Sequence, residues 1–462
     1  MIEENVVKKP VRTISGVTPL TVVLKPRKCN HGTCIYCPGG DYVPQSYTNK
    51  SPAIMRALAL QFDPYAQVKN RLYVLNKMGH PTDKIELIIL GGTFLEYPIN
   101  YQYEFIKKCY DALNDKDSPD LKTAKEINET TEHRCIGMCI ENRPDNCSPE
   151  EIERMLEFGT TRVEIGVQIP DDEIYKKTNR GHTVQDVIEA TKALKNAGFK
   201  LGYHIMPGLP YSNYAKDIEM FKKIFQSPLF RPDQLKIYPC QVIEDSPLAK
   251  THKIIGFKPY DEKQTREILI KMMRMIPKYC RVMRMMREFP KEKLIEGVEK
   301  LDLRKDIEYD FRKSKENLKE IRMREVGFNQ KKINLDTKLK IIEYEASDGK
   351  EFFLEFVNKE DILFGLLRLR LYNDASQKRG DSIFNKALVR ELHVYGHSVK
   401  IGEKEEHATQ HTGLGKALLS KAEEITRKHN ISKLSIISGI GVREYYKKLG
   451  YNLRGFYMVK EI

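Results

Sequence analysis

Between residues 84 and 238, short apolar runs rich in branched side chains alternate with amphipathic stretches, the pattern of β-α units around a parallel sheet. The runs predict strands at 85–90, 135–140, 161–168, 200–206 and 234–238, and helical periodicity fills the intervals, as at 149–158 and 183–197. Thr183 is placed to cap the second of these helices, and Gly198 to end it in the left-handed conformation. From Leu339 onward the pattern changes to short β runs at 352–357, 363–370 and 387–395. A helix from Leu414, another from Val442 and a strand from Phe456 follow. Between the two patterns, residues 288–335 mix both charge signs with few large apolar residues and read as a partly helical connector. Two domains joined by a connector is the simplest partition, with no internal repeat and no low-complexity tract.

Composition narrows the function classes. The 462 residues amount to about three domains at roughly 150 residues each, and 40% hydrophobic residues suffice for sizeable cores, which excludes a stapled miniature or a disordered chain. A formal charge of +14 makes RNA, or a phosphate-rich cofactor, the expected polyanionic partner. The most lopsided segment is 271–287, KMMRMIPKYCRVMRMMR, with six basic residues and no acidic one. It reads either as a solvated face packed through its methionines or as a phosphate-contacting stripe. No apolar stretch approaches the roughly 18 residues of a membrane helix, and residues 1–10 lack the apolar core of a signal peptide, so a cytoplasmic protein without a membrane partner is expected.

Nine cysteines is an odd number, and three of them, Cys29, Cys34 and Cys37, form C-x-x-x-x-C-x-x-C before Pro38-Gly39-Gly40. This spacing suits metal ligation in a reducing compartment better than a disulfide framework. Three thiolates on one loop can hold three irons of a 4Fe-4S cluster and leave the fourth open to an exogenous ligand. Zinc would need a fourth protein ligand, which His31 inside the loop could supply. Tyr36 before the last cysteine and the β-α units that follow favour iron. Gly91-Gly92 after the first long strand is, alone, a turn signal. Near the C-terminus, Gln410-His411-Thr412-Gly413-Leu414-Gly415 gives a Q-x-x-G-x-G turn before a helix, whose free N–H groups and dipole make an anion site.

The cysteine loop, with Gly91 and Gly92 where a SAM-approaching double glycine belongs, resembles the radical S-adenosylmethionine (SAM) superfamily, although four residues rather than the usual three separate its first two cysteines. The C-terminal layout resembles the GCN5-related N-acetyltransferase fold. Both on one chain, with strings such as ISGVTPLTVVLKPRKC, CIYCPGG, MPGLP, FRPDQLKIYP, VRELHVYG and QHTGLG, resemble the family of the Elongator catalytic subunit in its archaeal form. The fold class implied is α/β, a partial TIM-like radical SAM barrel followed by an acetyltransferase α/β domain. The implied partition is an N-terminal arm at 1–20, a radical SAM domain at 21–290, the connector at 291–337 and the acetyltransferase domain at 338–462.

The resemblance further implies carboxymethylation of the wobble uridine (position 34) of tRNA, with a 4Fe-4S cluster and SAM as cofactors and acetyl-CoA as co-substrate. A SAM-derived radical would take hydrogen from the acetyl methyl, the carbon radical would add to the base, and thioester hydrolysis would release CoA. Cys29, Cys34 and Cys37 are then cluster ligands and catalytic. Lys84 contacts acetyl-CoA from the radical SAM side; Glu391, Leu392, His393 and Val394 form the acetyl-CoA strand; Leu414, Gly415 and Lys416 take the pyrophosphate; and Tyr446 stands at the thioester. Arg281, Arg284 and Arg287 are the implied RNA-binding residues, positioning the tRNA anticodon stem-loop without reading its sequence. Zinc is not expected, because Leu318, Glu320 and Met323 occupy the stretch where relatives carry a cysteine-rich site. The sequence is also compatible with a homo-oligomer or accessory subunits. Two other readings compete: a protein lysine acetyltransferase with a structural radical SAM domain, and a tRNA-binding scaffold with degenerate sites.

Overall fold

The computed structural model describes residues 7–287, 289–300, 302–314, 316–329, 334–374, 383–396 and 413–462. Its first sheet runs in the order β1 (Thr18–Val23), β2 (Lys84–Leu90), β3 (Arg134–Asn142), β4 (Arg162–Gln168), β5 (Lys200–Ile205) and β6 (Gln234–Ile237), every neighbour parallel. A short β7 (Val242–Ile243) turns away from it, and β8 (Arg281–Met285) closes the row beside β6 as a seventh strand. β7 pairs instead with β9 (Leu294–Glu296). This is an α/β half-barrel. The helices between strands cover its outside, and their ends follow local chemistry. Ser148 and Glu151 form a capping box on Pro149–Phe158, which stops at Gly159 (φ 83°). Thr183 and Asp186 do the same for Val184–Asn196, as expected of Thr183.

The second sheet runs β10 (Lys338–Ala346), β11 (Gly349–Val357), β12 (Leu363–Tyr372), β13 (Lys386–Val394), β14 (Lys433–Ile436), β16 (Tyr457–Glu461) and β15 (Asn452–Arg454), with only β13 and β14 parallel. The long helix Leu414–Lys428 buries Leu418, Leu419 and Ala422 against it. Phe353, Leu366 and Ile440 of this half belong to the same apolar cluster as the half-barrel, so the two sheets share a core.

The basic segment 271–287 divides where the sequence shows one run. Its first part ends the helix Glu262–Met275, which buries Met272 and Met273. Its last part is β8, which buries Val282 and Met285 and so distributes its arginines over different surroundings. In the connector, Glu320 caps the short helix Ile321–Arg324 and also accepts from the Val282 amide at 3.1 Å, tying the connector to β8.

Candidate active site

The amino-terminal ends of the parallel strands face the second sheet across a cavity of about 590 Å³. Lys84, Arg162, Lys200 and Arg281 line it from the half-barrel; Glu391 to Val394, Gly413 to Lys416 and Tyr446 line it from the other side. Two features of the second sheet open this wall. β13 pairs with β14 only from Ala387 to Val389, so beyond that point these two strands part. A bulge between Arg368 and Leu369 also leaves Arg390 as an extra residue in β13, increasing the local bend. An open strand edge offers alternating N–H and C=O groups to an extended ligand. At the end of the 391–394 segment, Gly413 (φ 86°) starts the helix Leu414–Lys428, and no side chain among the described residues caps its first N–H groups, the arrangement of an anion site. Gln410, His411 and Thr412 of the sequence motif lie outside the described residues.

The side chains have separate tasks. The Glu391 carboxylate accepts from Lys200 Nζ at 2.9 Å and Arg368 Nε at 2.7 Å; burial alone would raise its pKa, but these two cations hold it well below the usual range. His393 stacks on Tyr395 at 4.3 Å and donates through Nε2 to the Ser15 carbonyl at 3.0 Å; burial lowers its pKa, keeping it neutral. Its ring therefore braces the N-terminal arm. Burial likewise pushes the Tyr446 phenol up, with Tyr445 adding to the effect, so it stays protonated. Half-buried Lys84 has its pKa lowered by burial, against the pull of Asp83.

Arg281 lies in the cavity wall, its guanidinium 2.8 Å from Glu325 and donating to Tyr395 Oη at 3.2 Å. Arg284 is exposed, and Arg287 lies over Tyr47 and Phe289, each at 5.0 Å, on the cysteine-loop side.

The cysteine loop sits at the opposite, carboxyl ends of the strands. Ile35 N donates to Thr178 O and Asn179 Nδ2 to Thr33 O, fixing the loop to the turn after the helix Asp172–Lys177. Arg180 Nη1 approaches Cys34 Sγ at 3.6 Å, while His31 Nε2 lies 3.4 Å from that sulfur and accepts from Arg143 Nη1 at 3.1 Å. The lone pair a zinc ion would use is thus directed at a guanidinium. Cys29 is pushed up to about 12 by burial, then by Cys37 and Glu96; Cys37 is raised by burial and by Cys34. Buried thiols that oppose one another's ionisation need a cationic group to exist as thiolates, and an iron cluster is such a group. The donor set fits one. Gly91 (φ 138°) lets the end of β2 meet Leu24 and Pro44, since a Cβ there would lie 3.0 Å from Leu24 Cβ.

Between cavity and loop, the half-barrel interior carries charges that the sequence reading passed over. Lys236 Nζ pairs with Glu141 at 3.0 Å and contacts Glu164, which also accepts from His204 Nε2 at 3.0 Å. Glu141, Glu164 and His204 converge closely enough to bind a cation, and the Lys236 ammonium supplies that positive charge. Glu141 accepts from Tyr47 Oη at 3.2 Å beside the loop, and Arg162 lies 3.7 Å from Glu164 at the cavity end. The signal for these residues was charge inside otherwise apolar strands, as in RVEIGVQ, whose every residue is buried.

A model of the radical SAM superfamily matches residues 23–224, and one of the Radical_SAM C-terminal domain matches residues 232–310. Over 459 residues the chain is 46% identical to the tRNA uridine(34) acetyltransferase of Dehalococcoides mccartyi, covering 98% of this chain and 100% of that relative. It is 39% identical to Elongator complex protein 3 of Schizosaccharomyces pombe, over 98% of this chain and 86% of that one. The archaeal Methanocaldococcus infernus Elp3 with an N-terminal deletion superposes with a TM-score of 0.85 at 42% identity, over 97% of this chain and 100% of that chain. The chain belongs to the Elongator complex protein 3 family. For this Elongator family member, radical SAM membership implies a 4Fe-4S cluster and SAM as cofactors. No helix among its described residues is long and apolar enough to cross a membrane.

Proposed function

We propose that the chain is a tRNA uridine(34) acetyltransferase, a radical SAM-dependent acyltransferase that draws on acetyl-CoA to carboxymethylate the wobble base of a tRNA anticodon stem-loop. The observation carrying this reading is the single cavity in which Lys84 of the radical SAM half meets the 391–394 segment, the Gly413 to Lys416 helix start and Tyr446. Acetyl-CoA fits each part: pyrophosphate on the free N–H groups of the helix start, the pantetheine amides on the β13 edge, and the thioester toward the amino-terminal ends of the half-barrel strands. Tyr446, protonated and buried, is the proton donor for the departing thiolate, and Lys84 guides the acyl end. Cys29, Cys34 and Cys37 would hold the cluster, which when bound supplies the electron that cleaves SAM. Gly91 and Gly92 lie where the methionine end of SAM would approach. Arg284 and Arg287 are the phosphate-contact residues on the RNA side.

The test is acetyl-CoA hydrolysis after anaerobic reconstitution with iron and sulfide, with and without tRNA. Hydrolysis triggered by tRNA and lost in Cys34→Ser is the expected result. Consumption indifferent to tRNA would favour a protein lysine acetyltransferase instead.

A further inference from the structure

The turn after the helix Asp172–Lys177 presents a buried cation to the cysteine loop. Arg180 is 8% exposed, and both of its backbone groups are held: its N–H donates to the Tyr175 carbonyl at 2.8 Å, and its carbonyl accepts from Arg143 Nη1 at 2.9 Å. Its guanidinium bridges two points. Nη2 donates to the Gly166 carbonyl of β4 at 2.5 Å, and Nη1 donates to Cys34 Sγ at 3.6 Å. The seat is shaped for it, because a Cβ on Gly166 would collide with Nη2.

A buried cation needs a counter-charge. Neighbouring Arg143 has Asp145 at 2.8 Å and Glu96 at 3.8 Å. Among the described residues Arg180 makes no ion pair with a carboxylate, and the groups around it that can carry negative charge are Cys34 and the phenols of Tyr36 and Tyr175. His31 Nε2 also lies 3.4 Å from Cys34 Sγ, but it accepts from Arg143 and so has no proton to give the sulfur. Arg180 is therefore the donor to that sulfur. A 4Fe-4S cluster on three thiolates is anionic and gains one more negative charge on reduction, and hydrogen bonds to its sulfurs help to set its potential. A fixed cation bonded to a ligand sulfur stabilises the reduced form more than the oxidised one. Resting on the radical SAM cluster at Cys29, Cys34 and Cys37, we propose that Arg180 is a positioning residue that raises the reduction potential of that cluster by donating to Cys34 Sγ.

Anaerobic reconstitution of the full chain, then titration with titanium(III) citrate followed by electron paramagnetic resonance, tests the proposal. Arg180→Met should keep the iron content of the wild type and shift the one-electron reduction equilibrium roughly ten-fold toward the oxidised cluster, a potential lower by about 59 mV. Arg180→Lys, which keeps the charge and loses the fork, should fall between the two. A merely structural Arg180 would change the iron content without moving the potential of the clusters that remain. That result, or an unchanged potential at full loading, would overturn the proposal. A second measurement does not depend on the Met variant: with arginine labelled by 15N at the guanidinium, pulsed resonance of the reduced wild type should show a nitrogen coupling to the cluster, and its absence counts against Arg180. If the wild type takes up no 4Fe-4S cluster, the cluster reading itself fails, a result distinct from a cluster whose potential ignores Arg180.

Discussion

At the scale of single residues, Tyr446 is the sharpest test of the proposed chemistry. Its phenol is 6% exposed, packed edge-on to Tyr445 at 5.2 Å, and raised by burial, so it remains a proton donor through neutral and mildly alkaline pH. Tyr446→Phe keeps the ring and removes the proton. Steady-state assays of tRNA-dependent acetyl-CoA hydrolysis should show kcat reduced roughly a hundred-fold with KM little changed. A variant with full kcat would assign the ring to packing alone. The sequence indicated residues of this kind wherever chemistry and local motif coincide, as in the cysteine loop or the glycines on either side of Leu414. It could not show that His393 spends its ring on Ser15 or Arg281 its charge on Glu325, because both partners come from distant segments. Arg162, Glu164 and Lys236 were hidden for a related reason: one charge in an apolar strand acquires meaning only once neighbouring strands place its partners.

At the scale of elements, strands read from apolar runs rich in branched side chains appear within a residue or two of expectation, as for β2 and β6. β8 was obscured because arginines interrupt its apolar positions, and β1 because its TPLTVV run is short and opens with Thr18-Pro19. The parting of β13 from β14, which creates the cavity edge, left no local signature, since a bulge depends on the partner strand. The contact between domains is equally non-local. Gly439, at the turn after β14, packs so closely on β3 that a Cβ would lie 2.0 Å from the Ile136 carbonyl oxygen. Backbone atoms cannot give way as a side chain could, so Gly439→Ala must lift the second sheet off β3. A destabilisation of about 1–3 kcal/mol in urea unfolding, together with weaker CoA binding, is expected. Unchanged stability would mean that the seam is looser than this contact implies.

At the scale of the molecule, the two sheets are joined by charge as well as by apolar packing. Asp233, before β6, accepts from Arg390 at 2.7 and 2.8 Å and lies 3.5 Å from both Lys195 and Arg368; Glu351 of β11 takes the other side of Arg390 at 2.9 Å and Arg370 at 3.0 Å. These side chains are all at most 1% exposed, so each cation depends on its carboxylate, and Asp233→Ala should cost about 3–5 kcal/mol. Burial alone would raise the Asp233 and Glu351 pKa values, but the surrounding guanidinium and ammonium groups outweigh it and hold both below their ordinary range. A carboxylate depressed in the folded state contributes stability that is complete above its unfolded pKa and is lost as pH falls toward the folded value. With unfolded values near ~4, urea midpoints of the cluster-free protein should hold steady from pH 7 to about 5 and then fall steeply below about 4. Because the pairs are shielded from solvent, added salt should change the profile little. A flat profile between pH 5 and 3 would show that the seam is held by apolar contact alone, with its buried charges contributing no net stability.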